Sequence, residues 1–376
     1  VSHRRMPYFE NLVGQVTPQA LPDLRNSLKM GETFSIERRN IMILPEGRSY
    51  ELSTELLKGA IDIHVHAGPH LPSSPRRVDP FEAAIQARDA GMRAIVYMDV
   101  FNWSNGTSWL VSRMVEGIDV FGGIILNTVF GGMNPRAVLT ALYYGSGAKY
   151  VSFGAHSTYY QASREGHLVD GKFKSLADIY PKFKEQELSR CIRIPEGQPS
   201  KELDEILGMI ADHPHVFLNT GHVSNQEAFR LIELSRQYGI KKVLVASSVT
   251  KNLSVDEQKQ VAESGAYLEQ TLAAFTHTSP IAKTHYYVER DYISIDEGMA
   301  GEPHGGVKQV AEEIDAVGAK NYILSTDLGV YTLPAPVEGL REFIACMLDL
   351  GIPTDDLRTM TARNPAGLLG IETVSD

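Results

Sequence analysis

Residues 60–66 read AIDIHVH, a short β-rich run that ends in two histidines one residue apart. A helix signal follows directly. Asp79 is a good N-cap, Pro80 suits the first helical position, Glu82 completes a capping box, and Gly91 stops the turn. The same unit then recurs down the chain. RAIVYMDV (93–100), VFGGIIL (120–126), KYVSFGAH (149–156), HVFLNTGH (215–222), KKVLVASSV (241–249), AYLEQTLAAF (266–275) and NYILSTDLG (321–329) read as strands. Helical stretches lie near 107–118, after Asn134, at 201–211, after Ser224, after Ser254, at 306–317 and at 336–350, with a last one from about Thr354. Ser224 with Glu227 and Ser254 with Glu257 are further capping boxes. Eight strand–helix pairs in order predict a parallel sheet closed into a (β/α)8 barrel, an α/β fold. An open doubly wound sheet would want a dinucleotide fingerprint after an early strand, and none is present.

Residues 1–58 lack this rhythm and read as an N-terminal extension to a barrel at 59–376. Within the extension, TFSIERRNIMILP (33–45) suits a strand or two. Two connections are long: 157–199 after the fourth strand and 276–305 after the seventh. Segments of that length are expected to serve as lids or subunit contacts, so a homo-oligomer is expected.

Composition narrows the function classes. The chain has 376 residues, 43% hydrophobic and 22% charged, which is ordinary for a globular protein. Lys plus Arg number 36 against 46 Asp plus Glu, giving a net charge of −10. That balance argues against nucleic acid or an anionic membrane as partner and leaves a small molecule as the expected one. The 2 cysteines, Cys191 and Cys346, lie far apart and suit a reducing compartment. No apolar run approaches the ~20 residues of a membrane span. The first residues show no apolar secretory core, so the expected location is the cytoplasm.

Function in such a barrel sits at the C-terminal strand ends. There the chain places His64, His66, His156, His222 and Asp327. Strand side chains alternate, so Asp62, His64 and His66 are expected on one face, with Ile61, Ile63 and Val65 toward the helices. Two imidazoles ~6–7 Å apart along a strand can converge on one ion. With His222 and Asp327 they make a three-histidine, one-carboxylate set suited to one divalent metal, zinc before manganese. Asp327 could instead cap the helix that follows. For His156 a bridging ligand, a substrate contact and a plain loop residue all stay open. Glu269, a carboxylate within a strand, is a candidate general acid or base, a ligand, or the partner of a barrel cation. Asn102 and Asn127 follow strand ends two and three, and Tyr159, His277 and Arg290 lie in the long connections; these are candidate substrate contacts.

The set IDIHVH, TGH, LSTDLG and NPAGLLGIE (364–372) resembles the amidohydrolase superfamily, most closely an amidohydrolase-related branch, over about residues 60–372. The resemblance implies that His64, His66 and His222 bind metal, and that Asp327 binds it and handles protons for an attacking water. Two departures favour one ion over two. Many members bridge a second metal from strand four, where the nearest lysine is Lys149, seven residues before His156 and so ~20 Å from the mouth at strand rise. Many also carry a strand-six histidine, where this chain has Ser247 and Ser248. The expected activity is metal-dependent hydrolysis of a C–N bond in an amide or cyclic amide, or a C–O bond in an ester or lactone. The alternatives are a lyase, decarboxylase or hydratase on the same site, and a non-catalytic metal- or ligand-binding barrel.

Overall fold

A computed structural model describes residues 47–71, 75–170, 172–275 and 306–372. The strands in chain order are β1 (Ile61–Val65), β2 (Ala94–Tyr97), β3 (Asp119–Phe121), β4 (Ile124–Ile125), β5 (Tyr150–Ser152), β6 (Gly166–Val169), β7 (Lys172–Ser175), β8 (Phe217–Asn219), β9 (Val243–Val245), β10 (Tyr267–Thr271) and β11 (Tyr322–Ser325). Apart from the β6–β7 hairpin, every pairing between these strands is parallel among the described residues. One sheet runs β1-β2-β3 and the other β11-β10-β9-β8-β5-β4.

Two junctions join these sheets into a ring. At the first, the expected third strand, 120–126, is split at Gly122 and Gly123 into β3 and β4. A Cβ on Gly122 would meet the Asn105 nitrogen at 2.4 Å, and one on Gly123 the Tyr150 carbonyl oxygen at 2.3 Å. The two glycines let neighbouring backbones approach, and the ladder changes partner there. At the second junction, the Asp327 N–H donates to the His64 carbonyl (2.8 Å) and the His66 N–H to the Leu328 carbonyl (2.9 Å). This stitches the last strand to the first, with Val65 bridging Leu328 in parallel. Counting β3 and β4 as one interrupted strand, eight strands go round, as the sequence predicts.

The helices alternate with these strands. The three predicted capping boxes, at Asp79, Ser224 and Ser254, all form. Leu203, Ile206, Leu207 and Ile210 bury one face of the helix Lys201–Ala211, the spacing that marked it in the sequence. Strand β9 is shorter than expected because Ser247–Thr250 turns into helix. The connection 157–199 is not a plain loop. It holds the hairpin β6–β7 and the helices Tyr159–Ala162, Leu176–Ile179 and Pro181–Gln186 around a small core of Ala162, Leu176, Phe183, Leu188 and Cys191. Residues 276–305 and the stretch 33–45 lie outside the described residues. Of the extension, the helix Arg48–Leu57 packs on Pro336–Asp349, with Leu56 and Leu57 in the main core.

The core has two parts. Val65, Ile95, Val151, Leu218, Val245, Leu268 and Leu324 face the helices in the larger one. Ile61, Ile63, Val96, Ile125, Tyr150, Phe217, Leu244 and Ile323 form the smaller one; nearly every strand contributes, so this is the barrel interior. Ile61 and Ile63 therefore point inward, against the expected alternation. The pairing of β1 with β2 slips between Asp62 and Val65, and that irregularity lets the interior isoleucines and the histidines above them share one side. Ala366, Leu368 and Leu369 join the interior cluster from the helix Asn364–Leu369. The Asn364 side chain donates to the carbonyls of Ala319 (2.9 Å) and Tyr322 (2.6 Å), where β11 begins. The NPAGLLG stretch thus seals the end of the barrel opposite the histidines.

Candidate metal centre

At the C-terminal strand ends, donor atoms of His64, His66 and Asp327 all lie within 4.8 Å of one another, a group able to hold a metal ion. The Asp327 Oδ1 is 2.9 Å from His66 Nε2 and 3.3 Å from His64 Nε2. Tetrahedral ligands at ~2.0–2.1 Å from an ion sit ~3.3 Å from one another, so this spacing fits a shared cation. The other ring nitrogens are tied back. His66 Nδ1 lies 2.8 Å from the Met98 carbonyl oxygen and His64 Nδ1 3.0 Å from Glu269 Oε1. Those partners accept, so each Nδ1 holds a proton and each Nε2, beside Asp327, is the atom left for a metal, the arrangement metal-binding histidines need.

The backbone is shaped for this. Asp327 adopts φ 52°, a left-handed conformation that aspartate tolerates better than most residues. It does not cap the following helix, whose start at Ala335 has no side-chain cap. A Cβ on Gly329 would stand 2.3 Å from the His66 carbonyl oxygen, which explains the glycine in LSTDLG. Below, the buried Asp62 carboxylate accepts from Thr326 Oγ1 (2.6 Å), Thr326 N (3.2 Å) and His64 N (3.1 Å), clamping the first strand to the last. Burial outweighs those hydrogen bonds and pushes Asp62 up to about 6.

Electrostatics favour a cation at the cluster. Burial works against a charge on His64, but Asp327 and then Glu269 overcome it and raise its pKa to about 9. Burial would raise Asp327 too, yet His64, then His66 and His222, hold it well below the usual carboxylate range. Burial, aided by the charge of His156, pulls His222 down to about 3 and keeps it neutral, the form in which imidazole binds metal. His222 is close enough to affect Asp327 but is not part of the three-residue group. Its Nδ1 is buried without a hydrogen-bond partner.

The remaining candidates divide. Glu269 is fully buried and accepts from His64 Nδ1, Ser325 Oγ (2.8 Å) and the Ser247 N–H (3.1 Å). It meets no lysine or arginine within ion-pair distance among the described residues; its partner is a histidine. Ser247, standing where relatives were expected to place a sixth-strand histidine, is absorbed by this network, its Oγ 2.9 Å from Thr271 Oγ1. His156 pairs through Nδ1 with Glu165, and its ring lies 5.8 Å from that of His222. Asn127 is engaged at both ends, by the Val100 carbonyl (3.1 Å) and the Ala155 N–H (3.0 Å). Asn102 is exposed and donates to Thr107. Tyr159 lies under the Arg193 guanidinium, 3.2 Å from ring centre. His277 and Arg290 lie outside the described residues.

Sequence reasoning missed two cations. Arg76, in SPRRVD, acts electrostatically on Asp327, Asp99 and His66. Lys251, one residue past the helix Ser247–Thr250, acts on Asp327 and His222. Only the proximity of each to a strand end could have flagged it.

The chain belongs to DUF6282, a family of unknown function, whose profile matches residues 59–269. A deacetylase of Agrobacterium fabrum is 24% identical over 205 residues, 49% of this chain and 48% of the relative. The chain thus spans about half the length of the curated relative it matches. Among solved structures, an amidohydrolase from Pseudomonas aeruginosa is 13% identical at a TM-score of 0.49, covering 85% of this chain and 98% of that one. A lactonase from Listeria monocytogenes is 15% identical at 0.46, covering 85% and 97%. An amidohydrolase from Burkholderia multivorans with bound zinc is 9% identical at 0.47, covering 83% and 99%. No helix among the described residues is long and apolar enough to cross a membrane.

Proposed function

We propose that the protein is a metal-dependent hydrolase of small molecules, using one divalent ion, zinc in preference to manganese, to cleave a C–N or C–O acyl bond. The observation that carries this reading is the convergence of His64 Nε2, His66 Nε2 and Asp327 Oδ1, with both Nδ1 atoms already committed elsewhere. The half-length sequence relative named as a deacetylase supports an acyl substrate. His64, His66 and Asp327 would hold the ion, with His222 as the fourth donor.

When bound, such an ion polarises the scissile bond and brings the pKa of water toward neutrality. The chain's own residues do the rest. Asp327, which stays ionised beside the histidines, takes the proton of the attacking water and delivers it to the leaving group. Glu269 fixes the ring and tautomer of His64. Glu165 fixes the ring of His156 beside His222.

The test is metal content per chain together with hydrolysis of amide, ester and lactone panels in isotopically labelled water. About one ion per wild-type chain, lost in His64→Ala, with label entering the product, is expected. A protein that carries no metal, or that turns substrate over without incorporating label, would overturn the reading.

A further inference from the structure

We propose that Arg76 and Lys251 form a subsite for an anionic group of the substrate, a carboxylate or phosphate, beside His64, His66 and Asp327. This rests on the hydrolase reading above and adds to it the substrate's charge.

Arg76 enters the barrel mouth on a segment laced to the end of the last strand. It bridges Val330, and the neighbouring Arg77 N–H donates to the Gly329 carbonyl at 2.7 Å. Its guanidinium feels the charges of Asp327 and Asp99 but lies within ion-pair distance of neither; no ion pair of Arg76 forms among the described residues. Asp99 is already spent on the Tyr97 hydroxyl (3.0 Å) and the Phe101 N–H (2.8 Å). Asp327 is spent on the two histidines. The Arg76 Nε is buried with no hydrogen-bond partner among the described residues. A buried guanidinium donor left unmatched is costly, and such groups in folded proteins are normally satisfied by something. A planar fork of N–H donors matches a carboxylate or phosphate best.

Lys251 arrives from a different element. Its backbone closes the turn after β9, donating to the Ser247 carbonyl at 3.1 Å. Its side chain is half-buried and close enough to act electrostatically on Asp327 and His222, and burial pulls the ammonium below its usual range. It makes no hydrogen bond or ion pair with any described residue. A lysine that merely solvates a surface has no reason to lie there. The chain as a whole carries a net charge of −10, so two cations near Asp327 with no ion pair among the described residues are not part of a general basic field. They leave the mouth short of an anion that no described residue provides.

The test is calorimetric titration of the full-length protein with glutarate and with inorganic phosphate, using neutral glutaramide as control. Wild type, Arg76→Gln and Lys251→Gln are compared, each with its metal content measured and each repeated after chelation. The expected result is anion binding that survives chelation, no binding of the amide, and an affinity about tenfold or more weaker in Arg76→Gln, as loss of a charge-assisted pair implies. A smaller loss is expected in Lys251→Gln, with metal content unchanged in both. Glutarate binding tighter than phosphate assigns a carboxylate; the reverse assigns a phosphate. Affinity within twofold of wild type in both variants, or binding abolished by chelation and untouched by either substitution, would overturn the subsite. Anion binding at these residues without hydrolysis of any acyl bond would leave the subsite standing and remove the proposed reaction. Hydrolysis with equal kcat/KM on anionic and neutral substrate pairs would do the reverse.

Discussion

Glu269→Gln changes one atom and separates two roles for that residue. The carboxylate takes three donors in a fully buried place: His64 Nδ1 at 3.0 Å, Ser325 Oγ at 2.8 Å and the Ser247 N–H at 3.1 Å. Glutamine has a single acceptor oxygen. If that oxygen serves His64 and Ser325, its amide group meets the Ser247 N–H, and one buried donor is orphaned at a cost of about 1–3 kcal/mol. If the amide is turned round, its N–H faces His64 Nδ1, which must then accept, sending the ring proton to Nε2 and into the metal position. Either way the hydrogen bond to His64 loses its ionised acceptor, which roughly halves it. Metal affinity should fall about 10–100-fold, the usual effect of losing such a carboxylate partner. Competition against a chelating indicator reads the affinity, and thermal unfolding of loaded and chelated protein reads the stability separately. Wild-type metal affinity with activity abolished would refute the reasoning and make Glu269 a proton-transfer group. Wild-type values for both would show that the tautomer of His64 is set by something else.

Asp327→Asn keeps the shape of the site but removes the proton acceptor, so kcat should drop by about 10²–10⁴, read by single-turnover hydrolysis at saturating metal. Gly329→Ala puts a Cβ 2.3 Å from the His66 carbonyl oxygen; the end of the first strand must shift, and the metal titration should show weaker binding while the far end of the barrel keeps its hydrogen-exchange protection. Asp62 supplies a pH signature in the metal-free protein. Its folded-state pKa is raised from 3.8 to about 6, so the folded chain holds this proton more tightly than the unfolded one. Its contribution to stability is full below the unfolded value and is lost as pH rises through about 6. Denaturant unfolding from pH 4 to 7 should show that decline in wild type and a flatter profile in Asp62→Asn; equal slopes would refute the assignment.

The barrel was legible because its strands are buried on both faces and punctuated by capping boxes that form as written. The two histidines and the aspartate were legible because they sit at the ends of the first and last strands. The inward turn of Ile61 and Ile63 was not, since a register slip against β2 is a property of the pair of strands and not of either one. The break at Gly122–Gly123 was hidden for a related reason: what demands the glycines is the approach of Asn105 and Tyr150 from other parts of the chain. The hairpin and helices within 157–199 escaped because their few apolar residues are diluted in a polar stretch and meet only in three dimensions. Arg76 and Lys251 carry no motif. Their meaning lies in the partners they lack among the described residues, which only the three-dimensional structure reveals.

The seal formed by Asn364–Leu369 has a consequence for assembly of the chain. Its Ala366, Leu368 and Leu369 complete an interior that begins with Ile61 and Ile63, so β1 cannot finish its burial until one of the last helices has left the ribosome. Contacts of such long sequence separation form late and slowly. During synthesis the nascent barrel would stand open at that end with its aliphatic floor exposed, an aggregation-prone state that chaperones recognise. Stop codons just upstream of residue 364 should therefore yield insoluble or rapidly degraded protein, although every metal-site residue named here would already be present.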